Sequence, residues 1–208
     1  MATLDKALTT LARLKSYLEI SGSTKDTLLT MILYGAWKFM EQYTGRKFAR
    51  TAYSQELYDG KESNKLILKQ APVISGQTFT LQHRTTGLNE DAWETIDTEN
   101  YWIDYDKGII TMNSKFVGGT QNYRVTYTAG YYVAKDSQYQ DGTDDNLDLP
   151  YDLELACWKL CAAEYMNRKN IGRTSERVRD MSVTYAKQVE KDQELRSTLG
   201  LYKRSFYA

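Results

Sequence analysis

One histidine, two cysteines and two prolines in 208 residues leave this chain poor in the groups from which most enzymes and metalloproteins are built. His83 has no second histidine with which to share a metal or a proton. It lies in a strand pattern beside Arg84 and reads better as a sheet-surface side chain than as a catalytic base. Cys157 and Cys161 stand one helical turn apart, too few for a structural zinc site or a disulfide framework, and are expected as buried thiols on a packed helix face. Net charge is also missing, since 27 Lys and Arg balance 27 Asp and Glu. The whole molecule therefore has no overall pull toward nucleic acid or membrane. No apolar run approaches the ~20 residues of a membrane span. The opening MATLDKALTTLARLK lacks the basic-then-apolar order of a signal peptide, so the expectation is a protein made and kept in a cytoplasm.

Glycine-rich phosphate loops are absent as well, and GRTSER at 172–177 has too few glycines to cradle a phosphate. Paired carboxylates occur at Asp104 and Asp106 and in the cluster Asp144, Asp145 and Asp148. Neither set has the spacing of a calcium loop. Asp106 is followed by Lys107 and Gly108, a hairpin-turn pattern. No catalytic residue, metal ligand or cofactor is expected.

What the chain does have is tyrosine, 17 copies of it. A large ring with a polar tip suits surfaces that are buried in one state and wet in another, although half-exposed sheets favour it too. Charge is also arranged by region. Residues 1–85 hold 12 basic against 7 acidic side chains, 86–150 hold 4 against 12, and 151–208 hold 11 against 8. An acidic middle between basic ends fits a subunit that meets neighbours through complementary faces, or simply a solvated acidic loop.

Apolar periodicity predicts a helix over Leu4–Leu18, capped by Thr3, and a second one starting near Ser23 or Thr24 and closing on Gly45. Trp37 lies off the main stripe, so the second helix is expected to bury two faces. Seven short strands follow, near Ala52–Tyr58, Lys65–Leu68, Thr78–His83, Ala92–Asp97, Tyr101–Asp104, Gly108–Met112 and Tyr123–Thr128. Residues 136–148, DSQYQDGTDDNLD, read as an exposed acidic loop. Pro150 then opens a long helix with Asp152 and Glu154 in its first turn, where the helix dipole favours carboxylates. Its buried face is Leu153, Cys157, Leu160, Cys161 and Tyr165. A short strand-like run at 181–186 and a helix from about Gln188 to Leu199 complete the chain. The fold class is α+β: an α-helical body with an inserted antiparallel β-domain. Its parts are an N-terminal helix hairpin (1–48), the β-domain (49–133), the acidic loop (134–148) and C-terminal helices that complete the body (149–208).

Four segments, in order, resemble the head–tail connector family (also called adaptor or head-completion proteins) of long-tailed double-stranded-DNA phages. They are MEQYTGRKF at 40–48, LILKQAPVISG at 66–76, YRVTYTAGY at 123–131 and LPYDLELACWKLCAAEYMNRK at 149–169. The ending MSVTYA … LGLYKRS fits as well. Ala71 stands where many members carry a proline, and residues 77–122 and 134–148 are longer than in short members.

The resemblance implies a non-enzymatic virion subunit at the head–tail interface, assembled in the host cytoplasm. It would form a ring, commonly of twelve copies, that docks under the portal, continues the DNA channel and offers a platform to the next neck or tail-completion protein. DNA in the channel would lie close without sequence-specific contact, and no membrane is involved. Carried onto this chain, the portal-contacting residues would be Leu195, Leu199, Leu201, Tyr202, Lys203, Arg204 and Phe206. Contacts between copies would pair Asp141, Asp144, Asp145 and Asp148 with Arg46, Lys47, Arg50 and Arg173. A competing reading makes the β-domain a carbohydrate- or host-surface-binding module, with Trp93, Tyr101 and Trp102 as stacking platforms.

Overall fold

A computed structural model describes residues 7–85, 92–133, 148–168, 190 and 192–203. The described chain forms two compact units, one from residues 7–49 with 131–203 and the other from residues 50–130. The class is α+β.

The first unit is helical: α1 (Leu11–Tyr17), α2 (Asp26–Thr44), α3 (Tyr151–Asn167) and α4 (Gln193–Leu201). The first helix starts later than its apolar periodicity predicts. Ala7 and Leu8 are buried without helical structure, and Thr10 caps α1 by accepting from the Arg13 N–H. Tertiary contacts thus override the propensity of the segment before Thr10. The second helix likewise starts at Asp26, past both predicted caps, and ends on Gly45, whose positive φ of 70° suits glycine. Its buried residues include Leu29, Leu33 and Ala36, with Trp37 at the edge of the same stripe and no separate second face, because Trp37 follows Leu33 by four residues.

In α3, Leu153, Cys157, Leu160, Cys161 and Tyr165 are all buried. These side chains join those of α2 and the α4 residues Leu195 and Leu199 in one core. The two thiols are free, and their mutual hydrogen bond and burial raise the pKa of Cys161. Where the chain leaves and re-enters this unit, Ala49 and Tyr131 form a parallel bridge, with the Tyr131 N–H donating to the Phe48 carbonyl.

The second unit contains all seven predicted strands: β1 (Thr51–Gly60), β2 (Lys65–Ile67), β3 (Thr80–Arg84), β4 (Trp93–Thr95), β5 (Tyr101–Asp104), β6 (Ile109–Met112) and β7 (Gly119–Ala129). They form two antiparallel sheets, ordered β1-β7-β3-β4 and β2-β6-β5. Alternation along β7 is regular from Tyr123 to Ala129, with Tyr123, Val125, Tyr127 and Ala129 buried and the residues between them half-exposed. The buried set packs with Leu66, Leu81, Ile110 and Phe116. A bulge in β1 shifts the register between Tyr53 and Glu56, and Gln55 there has a φ of 52°. Gly60 is sterically required, because a Cβ at that position would lie 1.7 Å from the Val117 carbonyl oxygen.

Candidate functional site

The C-terminal helix of the helical unit is where the sequence places its binding residues. Leu195 and Leu199 point into the unit's own core and are fully covered. Leu201, the last residue of the helix, is 81% exposed. Tyr202 follows, its ring 6.3 Å edge-on from Phe48 and its hydroxyl 3.0 and 3.1 Å from the two oxygens of Asp152 on α3. Burial and that carboxylate together raise the Tyr202 pKa. The Lys203 ammonium sits 4.3 Å from the centre of the Tyr43 ring. Midway along, Lys159 of α3 pairs with Glu194 of α4 at 2.7 Å, which raises the lysine pKa. The helix is thus fastened by an apolar pair underneath and a polar contact at each end, with one large apolar side chain left facing out. Arg204 and Phe206 lie outside the described residues.

Of the residues expected to make contacts between copies, Arg46, Lys47, Arg50 and Asp148 are among those described. Arg46 and Lys47 follow α2, and Arg50 begins the β unit. Asp148 accepts from the Tyr132 N–H, and burial raises its pKa. Asp141, Asp144, Asp145 and Arg173 lie outside the described residues.

A buried polar network, not anticipated from the sequence, joins the start of the chain to α3. Glu154 accepts from Thr9 Oγ1 at 2.6 Å on one oxygen and from Arg13 Nη2 at 2.8 Å on the other. The Trp158 indole N–H donates to the same Thr9 hydroxyl at 3.1 Å. Tyr17 stacks on Trp158 at 5.3 Å, and Tyr151 meets that ring edge-on at 5.8 Å. Glu154 is therefore more than a dipole partner in the first helical turn. It is the acceptor on which a segment 145 residues away is anchored.

The β unit holds a second network. Glu56 accepts from the hydroxyls of both Tyr58 (2.5 Å) and Tyr127 (2.7 Å), and Lys69 donates to the Leu57 carbonyl and lies near the same carboxylate. Burial, with help from Glu56, raises both tyrosine pKa values well beyond the ordinary range. Phenols held this firmly protonated are structural donors.

Residues proposed from sequence for other chemistry occupy ordinary places. Asp104 accepts from the Lys107 N–H at 3.0 Å while Gly108, with a φ of 65°, closes the loop between β5 and β6. His83 is half-buried on β3 with its ring 4.9 Å from Tyr123. Among the described residues no three His, Cys, Asp or Glu side chains are grouped to hold a metal. The three proposed sugar platforms do not form a shared surface. Trp93 lies under two guanidiniums, Tyr101 packs near Phe79 with its ring half-buried, and Trp102, 64% exposed, points to the opposite side of β5 from Tyr101.

The whole fold is similar to solved chains of gene transfer agent (GTA) particles. One is in the neck of an empty GTA particle computed with C6 symmetry, with a TM-score of 0.52, 14% identity, and coverage of 100% of this chain and 95% of that one. Another is in the neck of a native GTA particle computed with C12 symmetry, with values of 0.52, 15%, 100% and 94%. A third, in the virion of the native particle, gives 0.51, 14%, 100% and 95%. At these identities the likeness is one of fold. No curated protein matches the chain in sequence. The sequence profile of the head completion proteins does match, over residues 7–205, and the chain belongs to that family.

Proposed function

We propose that copies of this head completion protein assemble as a ring, twelve in number, beneath the portal. The family match across residues 7–205 is the observation that carries a structural role at the phage head–tail junction. The ring continues the DNA channel and presents its far side to the next neck or tail-completion protein. Likeness of fold to chains from necks computed with C6 and C12 symmetry supports a closed ring. Such a ring uses a heterologous interface in which two different faces of each copy meet.

In this reading, Leu201, Tyr202 and Lys203, with Arg204 and Phe206, reach the portal, and Leu195 and Leu199 seat the helix that presents them. The acidic stretch carrying Asp141, Asp144, Asp145 and Asp148 meets a basic face of the next copy, for which the sequence offers Arg46, Lys47, Arg50 and Arg173. The chain acts without cofactor, in the virion after assembly in the host cytoplasm. The test is electron microscopy of the purified portal mixed with this chain. A twelve-fold layer added to one end of the portal is expected, and its loss in a chain cut after Gly200. A portal that gains no density from the intact chain refutes the reading.

A further inference from the structure

In the helical unit a groove of about 620 Å³ runs along α1, and its lining includes Leu11, Ala12, Lys15, Ser16, Glu19 and Ile20. Lys15 is engaged locally, donating to Asp26 at 2.7 Å and to the Gly22 carbonyl. The chain turns out of α1 at Glu19, whose φ is 54°, and the Ile20 N–H returns to the Lys15 carbonyl at 2.9 Å. Glu19 is exposed, and its carboxylate has no ion pair or hydrogen bond among the described residues. Three apolar side chains and one uncompensated negative charge therefore share this groove. In the β unit the outward face of the three-stranded sheet carries the opposite pattern. Lys65, Thr111 and Trp102 form one cross-strand row, and Ile67, Ile109 and Asp104 form the next. On the other face of the same strands Leu66, Ile110 and Ile103 are buried, whereas Trp102 is 64% exposed and Ile67 and Ile109 are half-exposed. Asp104 has Lys107 at 3.4 Å. Lys65 is exposed, and its ammonium has no partner among the described residues. One bare indole and one uncompensated positive charge thus stand in a single row.

We infer that Trp102 of one copy enters the α1 groove of a second copy, where Lys65 meets Glu19. The spacings agree. Lys65 and Trp102 stand two strands apart, about 10 Å at about 4.8 Å per strand. Ala12 and Glu19 stand seven residues apart, about 10 Å at about 1.5 Å per helical residue. An aromatic anchor in a pocket with a charge pair at its rim is a common way for an interface to concentrate its binding energy and fix its register. Both halves occur on the same chain and on different faces of it. Each copy can therefore give one indole and receive another, as a heterologous contact in a closed ring requires. The inference rests on the ring reading, and it adds a contact to the one proposed for the acidic stretch.

The test uses two full-length variants. Trp102→Ala keeps the groove and lacks the anchor, whereas Ala12→Arg keeps the anchor and fills the groove. Both positions are exposed, so both chains should melt like the parent. Neither variant can make this contact with itself, but a mixture can. Fluorescein-labelled Ala12→Arg chain titrated with Trp102→Ala chain is expected to bind saturably, and titrated with unlabelled Ala12→Arg chain it should not. Adding Glu19→Lys to the Trp102→Ala chain sets two like charges together and should weaken binding at least about tenfold. Adding Lys65→Glu to the labelled chain should then restore it. Several results overturn the inference: no binding up to about 1 mM, equal binding in the Ala12→Arg self-titration, or a charge swap that restores nothing. Binding that appears only once residues 1–6 are removed gives the groove to the chain's own start and overturns it too. The two readings separate. A portal that gains a full layer from the Trp102→Ala chain sinks this contact alone, whereas variants that bind each other while the parent adds no layer sink the assembly.

Discussion

Arg13 and Glu154, 141 residues apart in sequence, form a 2.8 Å ion pair whose carboxylate is almost completely covered. The same carboxylate serves Thr9, so removing it takes an acceptor from a buried hydroxyl and from a partly buried guanidinium together. Breaking a buried pair from one side is costly because the remaining charge keeps its desolvation penalty. Glu154→Ala is expected to destabilise the helical unit by about 2 to 4 kcal/mol. Arg13→Ala should cost more, because it leaves behind a carboxylate only 7% exposed, whereas Glu154→Ala leaves a guanidinium 31% exposed that can reach water. Urea unfolding of the two variants decides this, and equal midpoints would refute it.

Glu164 on α3 has one buried carboxylate oxygen without a hydrogen-bond partner, and desolvation raises its pKa above the usual 4.5. A folded-state pKa above the unfolded value means that the native chain binds the proton more tightly. The resulting stability is fully present below about pH 4.5 and is lost as pH rises through the folded value. Glu164→Gln should therefore melt higher than the parent at pH 7, and the gap should close toward pH 4.5. A gap that stays constant across that window would be inconsistent with the assignment.

Leu199 and Leu201 lie two residues apart on α4 with opposite exposure. Leu199→Ala opens a cavity in the core and should cost about 2 to 5 kcal/mol. Leu201→Ala should change stability by less than about 0.5 kcal/mol, as surface substitutions usually do. On the reading above, it should also reduce the yield of portal carrying a ring. Thermal melts and negative-stain counts on the same two proteins measure both effects. A destabilising Leu201→Ala, or one that docks at parental yield, would contradict the expectation.

Local order was legible in the sequence; long-range partnership was not. All seven strands and the buried face of α3 followed from period-2 and period-3.6 patterns, because alternation and helical stripes are written in neighbouring residues. The start of α1 was misjudged because Ala7, Leu8 and Thr9 serve tertiary contacts, and nothing local distinguishes those from another helical turn. The same limit applied to the sites. Trp93 was noticed as an aromatic, but its place between Arg84 and Arg124 depends on β3 pairing with both β4 and β7. The second of those pairings joins residues 40 to 46 positions apart, beyond the reach of local pattern reading. Leu195 and Leu199 carried the apolar spacing of a packed helix, and their direction became definite only when α3 supplied the surface beneath them.

The helical unit is assembled from two stretches of chain, with the whole β unit threaded between them. During synthesis the ribosome releases α1 and α2 first, and their apolar stripe has no counterpart until α3 emerges more than a hundred residues later. Long-range closure of this sort is slow and leaves sticky surface waiting. A polypeptide that stops early, even one with an intact β unit, therefore lacks the half that would cover α2. Such a fragment keeps an uncovered apolar stripe and is prone to aggregate.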